Sequence, residues 1–204
     1  RIVLATKGGI APPTPYNSSP KYLRAACEAS LRRLQTEVID LYQIHRPDLF
    51  THPADVAITL NALRAEGKIR EVGVSNHTPA QVAALQGHLE FPIVSNQPEF
   101  SAVHLDPMRD GTFDQCMGAG TAVLAWSPLE GGRLATGEGV RPALLDVLDT
   151  LAERRASTAP RSRSPSCSHT RLLPLRSSAR RIPSASRPAP QRSPSTHTGS
   201  PTPR

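Results

Sequence analysis

The feature that most constrains the fold of this sequence is the alternation of short apolar runs with longer amphipathic segments. The runs are three to six residues long, and short apolar runs rich in Val and Ile are typical of parallel strands that are covered on both faces. Parallel neighbours need a long crossover connection, which is usually a helix. The predicted strands are Ile2–Ala5, Ile39–Ile44, Glu71–Val74, Ile93–Ser95 and Ala122–Trp126.

The segments between these runs have the residue spacing and the end signals of helices. Gly67 is a typical helix stop, while Thr78 and Pro79 are typical of a cap and a first helical turn. The sequence therefore predicts an α/β protein in which helices cover a parallel sheet. The predicted helices are Ser19–Leu34, Val56–Glu66, a segment that begins at Thr78, a short one within Gly111–Gly120, and Arg141–Arg155.

Two folds are compatible with this alternation, an open doubly wound sheet and a (β/α)8 TIM barrel. No GxGxxG follows the first predicted strand, which disfavours the dinucleotide-binding open sheet. Polar residues stand at the end of every predicted strand, and in a barrel these ends converge on one mouth where the active site lies. The barrel is therefore favoured. The strand-end residues are Lys7, His45, Ser75, Asn76, Gln97 and Ser127.

Five motifs support the barrel and occur in a fixed order: LATKGG, IDLYQIHRPD, GKIREVGVSN, SNQPEFS and LAWSPLEGGRL. Together they resemble the aldo/keto reductases, and bacterial oxidoreductases of that family in particular. The resemblance covers residues 1–154. It implies a (β/α)8 barrel that binds NADP(H) and reduces the carbonyl group of a small aldehyde or ketone by hydride transfer.

The resemblance also implies roles for individual residues. Lys7 matches the lysine that assists a tyrosine general acid, and His45 matches the histidine that orients the carbonyl oxygen. Trp126 matches the aromatic residue that stacks on the nicotinamide ring. The positions that hold the nicotinamide carboxamide are matched by Ser75, Asn76 and Gln97, and those on the pyrophosphate side by Ser127 and Leu129.

The sequence also departs from the family pattern. It begins at what corresponds to the third strand, so we expect an incomplete barrel of about strands 3 to 7. The family's Asp and Tyr precede the lysine and have no counterpart here, and Tyr16 follows Lys7 in a Pro-rich loop. The eighth strand is also missing from the readable sequence. We therefore expect a fragment with impaired activity; the alternative is a noncatalytic barrel relative that binds a nucleotide or a protein partner.

The last quarter of the chain differs in composition from the rest. Residues 155–204 contain ten Arg, twelve Ser and nine of the 21 Pro, but no Lys, Asp or Glu. A segment of this kind cannot bury enough apolar surface to offset its chain entropy. The expected organisation is a partial barrel over residues 1–154 and a disordered tail over residues 155–204.

Three interpretations of this tail remain open: an RNA-binding arm, a disordered terminus, or translation in the wrong frame. The arm lacks the aromatic residues that stack on bases. Back-translating from Arg155 with GC-rich codons and shifting the frame by one base gives DRAAVALAFVLAH and then PVAILGT. The first string has the pattern of an amphipathic helix and the second that of a buried strand. This outcome favours a frameshift near residue 154.

Charge and residue usage exclude several other functions. The formal net charge of the whole chain is +7, but residues 1–154 have 14 Lys and Arg against 17 Asp and Glu, so no specific nucleic-acid partner is expected. No apolar stretch is long enough to span a membrane. Three scattered cysteines without a CxxC pair suit the cytoplasm. Four histidines are interpreted as surface or loop residues, and no metal site is predicted: His52, His77, His88 and His104.

Overall fold

In the computed structural model, strands and helices alternate along the residues that the structure describes, 2–13 and 16–158, with side chains described to residue 155. The strands are β1 (Ala5–Gly8), β2 (Ile39–Ile44), β3 (Ile69–Ser75), β4 (Ile93–Gln97) and β5 (Ala122–Val123). The helices are α1 (Pro20–Leu34), α2 (Pro53–Ala65), α3 (Pro79–Gln86), α4 (Thr112–Ala119), α5 (Arg133–Thr136) and α6 (Pro142–Thr158), with short 3-10 turns at Asp106–Met108 and Glu130–Gly132.

The five strands form one parallel sheet in sequence order, β1 to β5. One face of this sheet packs against the helices. Tyr42 of β2 is fully buried on that face, and its hydroxyl donates to the Leu23 carbonyl oxygen of α1 over 3.3 Å. The apolar core includes Leu23, Cys27, Leu60, Leu63, Val82 and Leu85 from the helices, with Ile39, Tyr42, Ile44, Ile69, Val72, Val74 and Ile93 from the strands.

Side chains alternate between the two faces along each strand, and the opposite face has polar residues toward the carboxyl ends of the strands. Lys7 pairs with Gln43 and Gly73 pairs with Ser95, which places these four residues on that second face. The Gln43 side-chain amide donates to the Ser95 hydroxyl over 3.4 Å, and both residues are buried. The polar residues of the predicted site therefore start from the face that lies away from α1–α3.

The helix ends explain why these segments form helices. The predicted cap of α3 is confirmed: the Thr78 hydroxyl accepts from the Gln81 backbone N–H, and the Gln81 side chain accepts from the Thr78 N–H. These two bonds satisfy donors that a helix otherwise leaves unpaired. Helix α2 begins three residues earlier than predicted, because the His52 ring accepts from the Ala54 N–H over 3.2 Å.

The first strand lies three residues further along the chain than predicted. Strand β1 covers Ala5–Gly8, whereas Ile2 and Val3 are 87% and 67% exposed. The apolar run made these two residues resemble buried strand residues. The ladder with β2 begins only at Ala5, and Lys7 consequently lies within the strand rather than after it.

The last strand is shorter than the predicted Ala122–Trp126. Leu124 N–H donates to the Asn96 carbonyl and Trp126 N–H donates to the Pro98 carbonyl, both over 3.0 Å. The bond expected between them needs an N–H at residue 98, and proline has none. The ladder is therefore interrupted after Val123, and Trp126 keeps a single bridge to Glu99.

The predicted boundary at residue 154 falls inside α6, which extends to Thr158. The rest of the predicted tail, residues 159–204, lies outside the described residues.

Candidate active site

Two adjacent strands bring Lys7 and His45 to the same edge of the sheet. Lys7 pairs with Gln43, and His45 follows Gln43 by two residues on the same face. The His45 backbone N–H donates to the Gly8 carbonyl oxygen over 2.8 Å, which continues the ladder one residue beyond β2. Both side chains are half-buried, so they are held by the sheet and remain reachable by a ligand.

The charge around this pair is positive. Burial lowers the pKa of the Lys7 ammonium, and the nearby Arg46 guanidinium lowers it further. Burial also lowers the pKa of His45, with smaller contributions from Lys7 and Arg46. These effects favour the uncharged imidazole, in which one ring nitrogen can donate a hydrogen bond and the other can accept one.

The ends of β3 and β4 form a network of amide and hydroxyl groups. The Ser75 hydroxyl donates to the Gln97 carbonyl oxygen over 2.8 Å, and the Asn76 N–H donates to the same oxygen over 3.1 Å. Asn76 adopts a left-handed backbone with φ of 55°, and its side-chain amide donates to the Ser75 hydroxyl over 2.9 Å. Three of the predicted site residues are therefore brought together.

Trp126 joins this network from the segment after β5. Its indole N–H donates to the Asn76 side-chain oxygen over 2.8 Å, although the two residues are 50 positions apart. This bond fixes the plane of the half-buried ring. Among the described residues, the Gln97 side chain forms no hydrogen bond, so the donors and acceptors of its carboxamide are available to a ligand.

His77, predicted to be a surface or loop histidine, is in a loop but is buried. Its Nδ1 lies 3.0 Å from the Ser75 carbonyl oxygen, and the Asn96 side chain donates to the His77 carbonyl oxygen over 3.0 Å. Burial lowers the pKa of this imidazole. His77 therefore supports the loop that carries Ser75 and Asn76. The sequence contains no signal for this role, because both contacts depend on the loop conformation.

The segment after Trp126 is a tight turn that includes Ser127 and Leu129. Ser127 has a φ of 53°, and its hydroxyl accepts from the Gly131 N–H over 3.3 Å. Gly131 and Gly132 have positive φ values and open space where a Cβ atom would stand. Ser127 therefore lies beside an accessible glycine turn, which suits close approach of a ligand to the backbone.

Leu129 points elsewhere, into an apolar cavity of about 280 Å³ between this turn and α6. The cavity is lined in part by Phe100, Leu105, Leu134, Leu145 and Leu148.

Arg46 is a residue of this region that sequence reasoning missed. Its guanidinium carbon lies 5.5 Å from the centre of the Trp126 ring, next to His45 in the chain. The IHRPD motif contains Arg46, but the contact with a ring 80 residues away has no sequence signature. Across residues 2–13 and 16–155, no group of three or more His, Cys, Asp or Glu side chains could hold a metal ion. No helix among the described residues has the length and apolarity to cross a membrane.

Comparison with known proteins assigns this arrangement to a class. A family model described as the aldo/keto reductase family matches residues 1–147. A 6-dehydroglucose reductase of Novosphingobium aromaticivorans is 49% identical over 154 residues, which are 75% of this chain and 51% of that protein. Oxidoreductase YdhF of Escherichia coli is 41% identical over 138 residues, 68% of this chain and 46% of that protein.

Solved structures agree with the assignment. The glycerol dehydrogenase AKR11B4 of Gluconobacter oxydans superimposes with a TM-score of 0.62 at 31% identity, over 69% of this chain and 49% of that one. The thermostable aldo-keto reductase Tm1743 has a TM-score of 0.68 at 24% identity, over 76% and 53%. The parallel sheet and its helices are a partial (β/α)8 barrel. The chain belongs to the aldo/keto reductase family, and it spans about half the length of the curated relatives it matches.

Proposed function

We propose that this chain is part of an oxidoreductase that uses NADP(H) to reduce the carbonyl group of a small aldehyde or ketone. The proposal rests on one observation. Lys7 and His45 lie at the same edge of a partial barrel as the Trp126 indole, which donates a hydrogen bond to Asn76. In such barrels the carboxyl ends of the strands form the active site. The preference for NADP(H) over NAD(H) rests on the family resemblance alone.

The residues present suit a nicotinamide group, which supplies a hydride when bound. Gln97 has a carboxamide without a hydrogen-bond partner among the described residues, and a carboxamide of the ligand can both donate to it and accept from it. Ser75 and Asn76 provide the neighbouring polar groups. The Trp126 ring is fixed by Asn76 and offers a flat apolar face for stacking. Ser127 is proposed to lie on the pyrophosphate side of the same ligand, where Leu129, whose side chain points into the apolar cavity, would contribute only its backbone.

His45 is proposed to orient the substrate. A neutral imidazole can donate one hydrogen bond to the carbonyl oxygen without carrying a charge of its own. Such a donor stabilises the negative charge that develops on that oxygen during reduction. Burial and the two neighbouring cations lower the pKa of His45, which favours this neutral form.

Lys7 is proposed to lower the pKa of a tyrosine that protonates the product oxygen, as the resemblance implies. A phenol has an ordinary pKa of about 10, and a nearby cation favours its ionised form. Lys7 forms no hydrogen bond or ion pair with a phenol or carboxylate among the described residues, and Tyr16 is 41% exposed on a loop. We therefore expect the chain of 204 residues to bind the cofactor but to turn over slowly.

Binding without turnover is also what the noncatalytic alternative predicts, so one experiment addresses both. Trp126 is the only tryptophan, and its emission reports on a ligand that stacks on it. Titration with NADPH should quench this emission saturably, and Gln97→Ala should weaken binding about tenfold or more. Gln115→Ala on α4 removes the same group away from the site and serves as the control.

The outcomes separate the two candidates. Quenching that is specific to Gln97, together with NADPH consumption in the presence of aldehydes, supports the reductase. The same quenching without consumption supports the noncatalytic relative. Absence of quenching, or equal loss with both variants, would contradict the proposed cofactor site. Repeating the titration with NADH measures the contribution of the 2′-phosphate.

We also propose that the chain leaves its original reading frame near residue 154 and that the parent protein is cytoplasmic. The frameshift is supported by the loss of every acidic residue after Glu153. The cytoplasmic location is supported by Cys27 and Cys116, which are buried free thiols and suit a reducing compartment. Sequencing the DNA across codons 150–204 tests the frameshift; a confirmed frame as printed would remove it.

A further inference from the structure

Arg46 lies between the two halves of the candidate site. It follows His45 directly in the chain, and its guanidinium lies over the Trp126 ring. The distance from the guanidinium carbon to the ring centre is 5.5 Å. The hydrogen bond from Trp126 to Asn76 fixes that ring. Arg46 is therefore placed beside both the proposed carbonyl-orienting histidine and the proposed nicotinamide platform.

No carboxylate of the described region neutralises this cation. Asp48, two residues away, accepts instead from the Ser18 N–H at 2.8 Å, the Phe50 N–H at 3.0 Å and the Thr51 hydroxyl at 2.8 Å. Across residues 2–13 and 16–155, neither Arg46 nor Lys7 forms an ion pair with a carboxylate.

The acidic residue of the glycine turn after Trp126 also has other partners. Glu130 pairs with Arg133 at 2.8 Å and accepts from the Ser101 hydroxyl at 2.8 Å. Among the described residues, no carboxylate therefore compensates the positive charges of Lys7 and Arg46 near the His45 imidazole, in a partly buried place where solvent screens charge less than on the surface.

Contact with the tryptophan leaves the guanidinium able to bind a ligand. An arginine that lies against an aromatic face keeps the N–H groups along its edge, and these match the two oxygens of a carboxylate in a bidentate fork. The ring also holds the guanidinium in place, which reduces the side-chain freedom lost on binding. The most favourable ligand group at this position is therefore a carboxylate.

We propose that Arg46 determines substrate specificity by binding the carboxylate of an acidic aldehyde or ketone whose carbonyl oxygen is held by His45. This inference rests on the proposed function, since it assumes that a carbonyl compound binds beside His45. The Arg46 guanidinium is near enough to the imidazole to lower the pKa of His45, so one small substrate can contact both side chains.

The test compares two ketones that differ only in the carboxylate, 4-oxopentanoate and 2-pentanone. Each is titrated into the full chain while the emission of Trp126 is followed. Arg46→Gln should weaken binding of 4-oxopentanoate by about tenfold or more and leave 2-pentanone within about twofold. Arg46→Lys keeps the positive charge but loses the bidentate hydrogen bonding of the guanidinium, so it should recover part of the affinity for 4-oxopentanoate.

Arg33→Gln, in the last turn of α1, removes the same charge away from this face and is the matched control. Equal affinity of the unmodified chain for the two ketones, or equal losses for both in Arg46→Gln, would overturn the proposal. A larger loss for NADPH than for 4-oxopentanoate would also overturn it, because the guanidinium would then serve the cofactor. Circular dichroism of each variant confirms that the fold is kept.

The same measurements separate this inference from the proposed function. If NADPH binds and 4-oxopentanoate shows no preference, only the role of Arg46 fails. If 4-oxopentanoate binds through Arg46 and NADPH does not bind, the reductase proposal fails and the anion site stands.

Discussion

At the scale of single residues, His45 and Arg46 illustrate how neighbours in sequence acquire different environments. His45 continues the β1–β2 ladder through its backbone, while Arg46 turns toward the Trp126 ring. The imidazole is surrounded by two cations and partly desolvated, and both effects disfavour its charged form. The protonation state of His45 is thus set by its neighbours.

The first prediction concerns the titration of His45. Its midpoint should lie below the ordinary value of 6.5, and Arg46→Gln should raise it, because one of the repelling charges is removed. The NMR signals of the imidazole nitrogens, followed over pH, measure both midpoints. An unchanged midpoint in Arg46→Gln, or the same increase in Arg33→Gln, would show that the guanidinium does not act on this ring.

The sign of the stability effect follows from the same shift. The folded pKa of His45 is lowered, so the unfolded chain takes up the proton more readily. The contribution of His45 to stability is fully present above the pKa of His45 in the unfolded chain. This contribution is lost as the pH falls through that pKa and then through the lower pKa of the folded chain. Denaturant titrations at a series of pH values measure this contribution. The free energy of unfolding should fall less toward acid pH in His45→Gln than in the unmodified chain.

At the scale of elements, the contact between β3 and β4 depends on a glycine. A Cβ atom on Gly73 would lie 2.2 Å from the Ser95 hydroxyl oxygen and 3.1 Å from the Gln43 side chain. The pairing of the two strands also shifts register between Val72 and Gly73. The missing side chain lets β4 approach closely enough to place Gln97 beside Ser75 and Asn76.

The second prediction is that Gly73→Ala destabilises the fold by about 1–3 kcal/mol, the usual cost of overpacking a buried contact. Chemical denaturation measures the change. Gly118→Ala is the matched control, because Gly118 lies in α4 with nothing within 4 Å of its Cβ position. Alanine there should leave the stability unchanged or raise it, since it forms helices better than glycine. A destabilisation equal to that of Gly73→Ala would contradict the steric explanation.

The third prediction concerns the start of α3. Thr78→Ala removes the side-chain acceptor of the capping box and should reduce stability by about 1 kcal/mol, whereas Thr78→Ser keeps the oxygen and should cost less. The same variants report on the site, because the loop before Thr78 carries Asn76. A loss of NADPH affinity in Thr78→Ala that Thr78→Ser restores would show that the helix cap positions this loop.

At the scale of the whole molecule, the described strands form an open sheet. Within residues 2–13 and 16–158, β1 pairs only with β2 and β5 only with β4, so the two outer edges have unpaired backbone groups. Exposed edges of this kind favour association with other strands. The exposed Ile2 and Val3 extend one edge with apolar side chains.

The fourth prediction is that the chain self-associates through this edge and that Val3→Lys reduces the association. Lysine at an edge strand opposes pairing, because its charge would have to be desolvated. Light scattering coupled to size-exclusion chromatography measures the mass distribution. Phe50→Lys changes an even more exposed apolar residue in a loop and serves as the control. A similar reduction by both variants would indicate general surface stickiness rather than edge pairing, and a monomeric unmodified chain would contradict the prediction.

Local patterns in the sequence predicted the order of the strands and of all helices except α5, the parallel sheet and the family. Apolar periodicity and cap residues such as Thr78 act locally, so they are visible in the residue string. The five motifs also located Lys7, His45, Asn76, Gln97 and Trp126, because each lies close to the end of a strand or to a strand bridge. Their roles in binding and catalysis remain predictions.

The tertiary structure alone decided the strand limits and the contacts between distant residues. The ladder with β2 fixed where β1 begins, and the missing N–H of Pro98 ended β5 early, although the apolar runs suggested otherwise. The burial of His77 and the position of Arg46 over Trp126 depend on how loops from different strands meet. Such contacts join residues far apart in the chain, and neither composition nor periodicity contains the distances that bring them together.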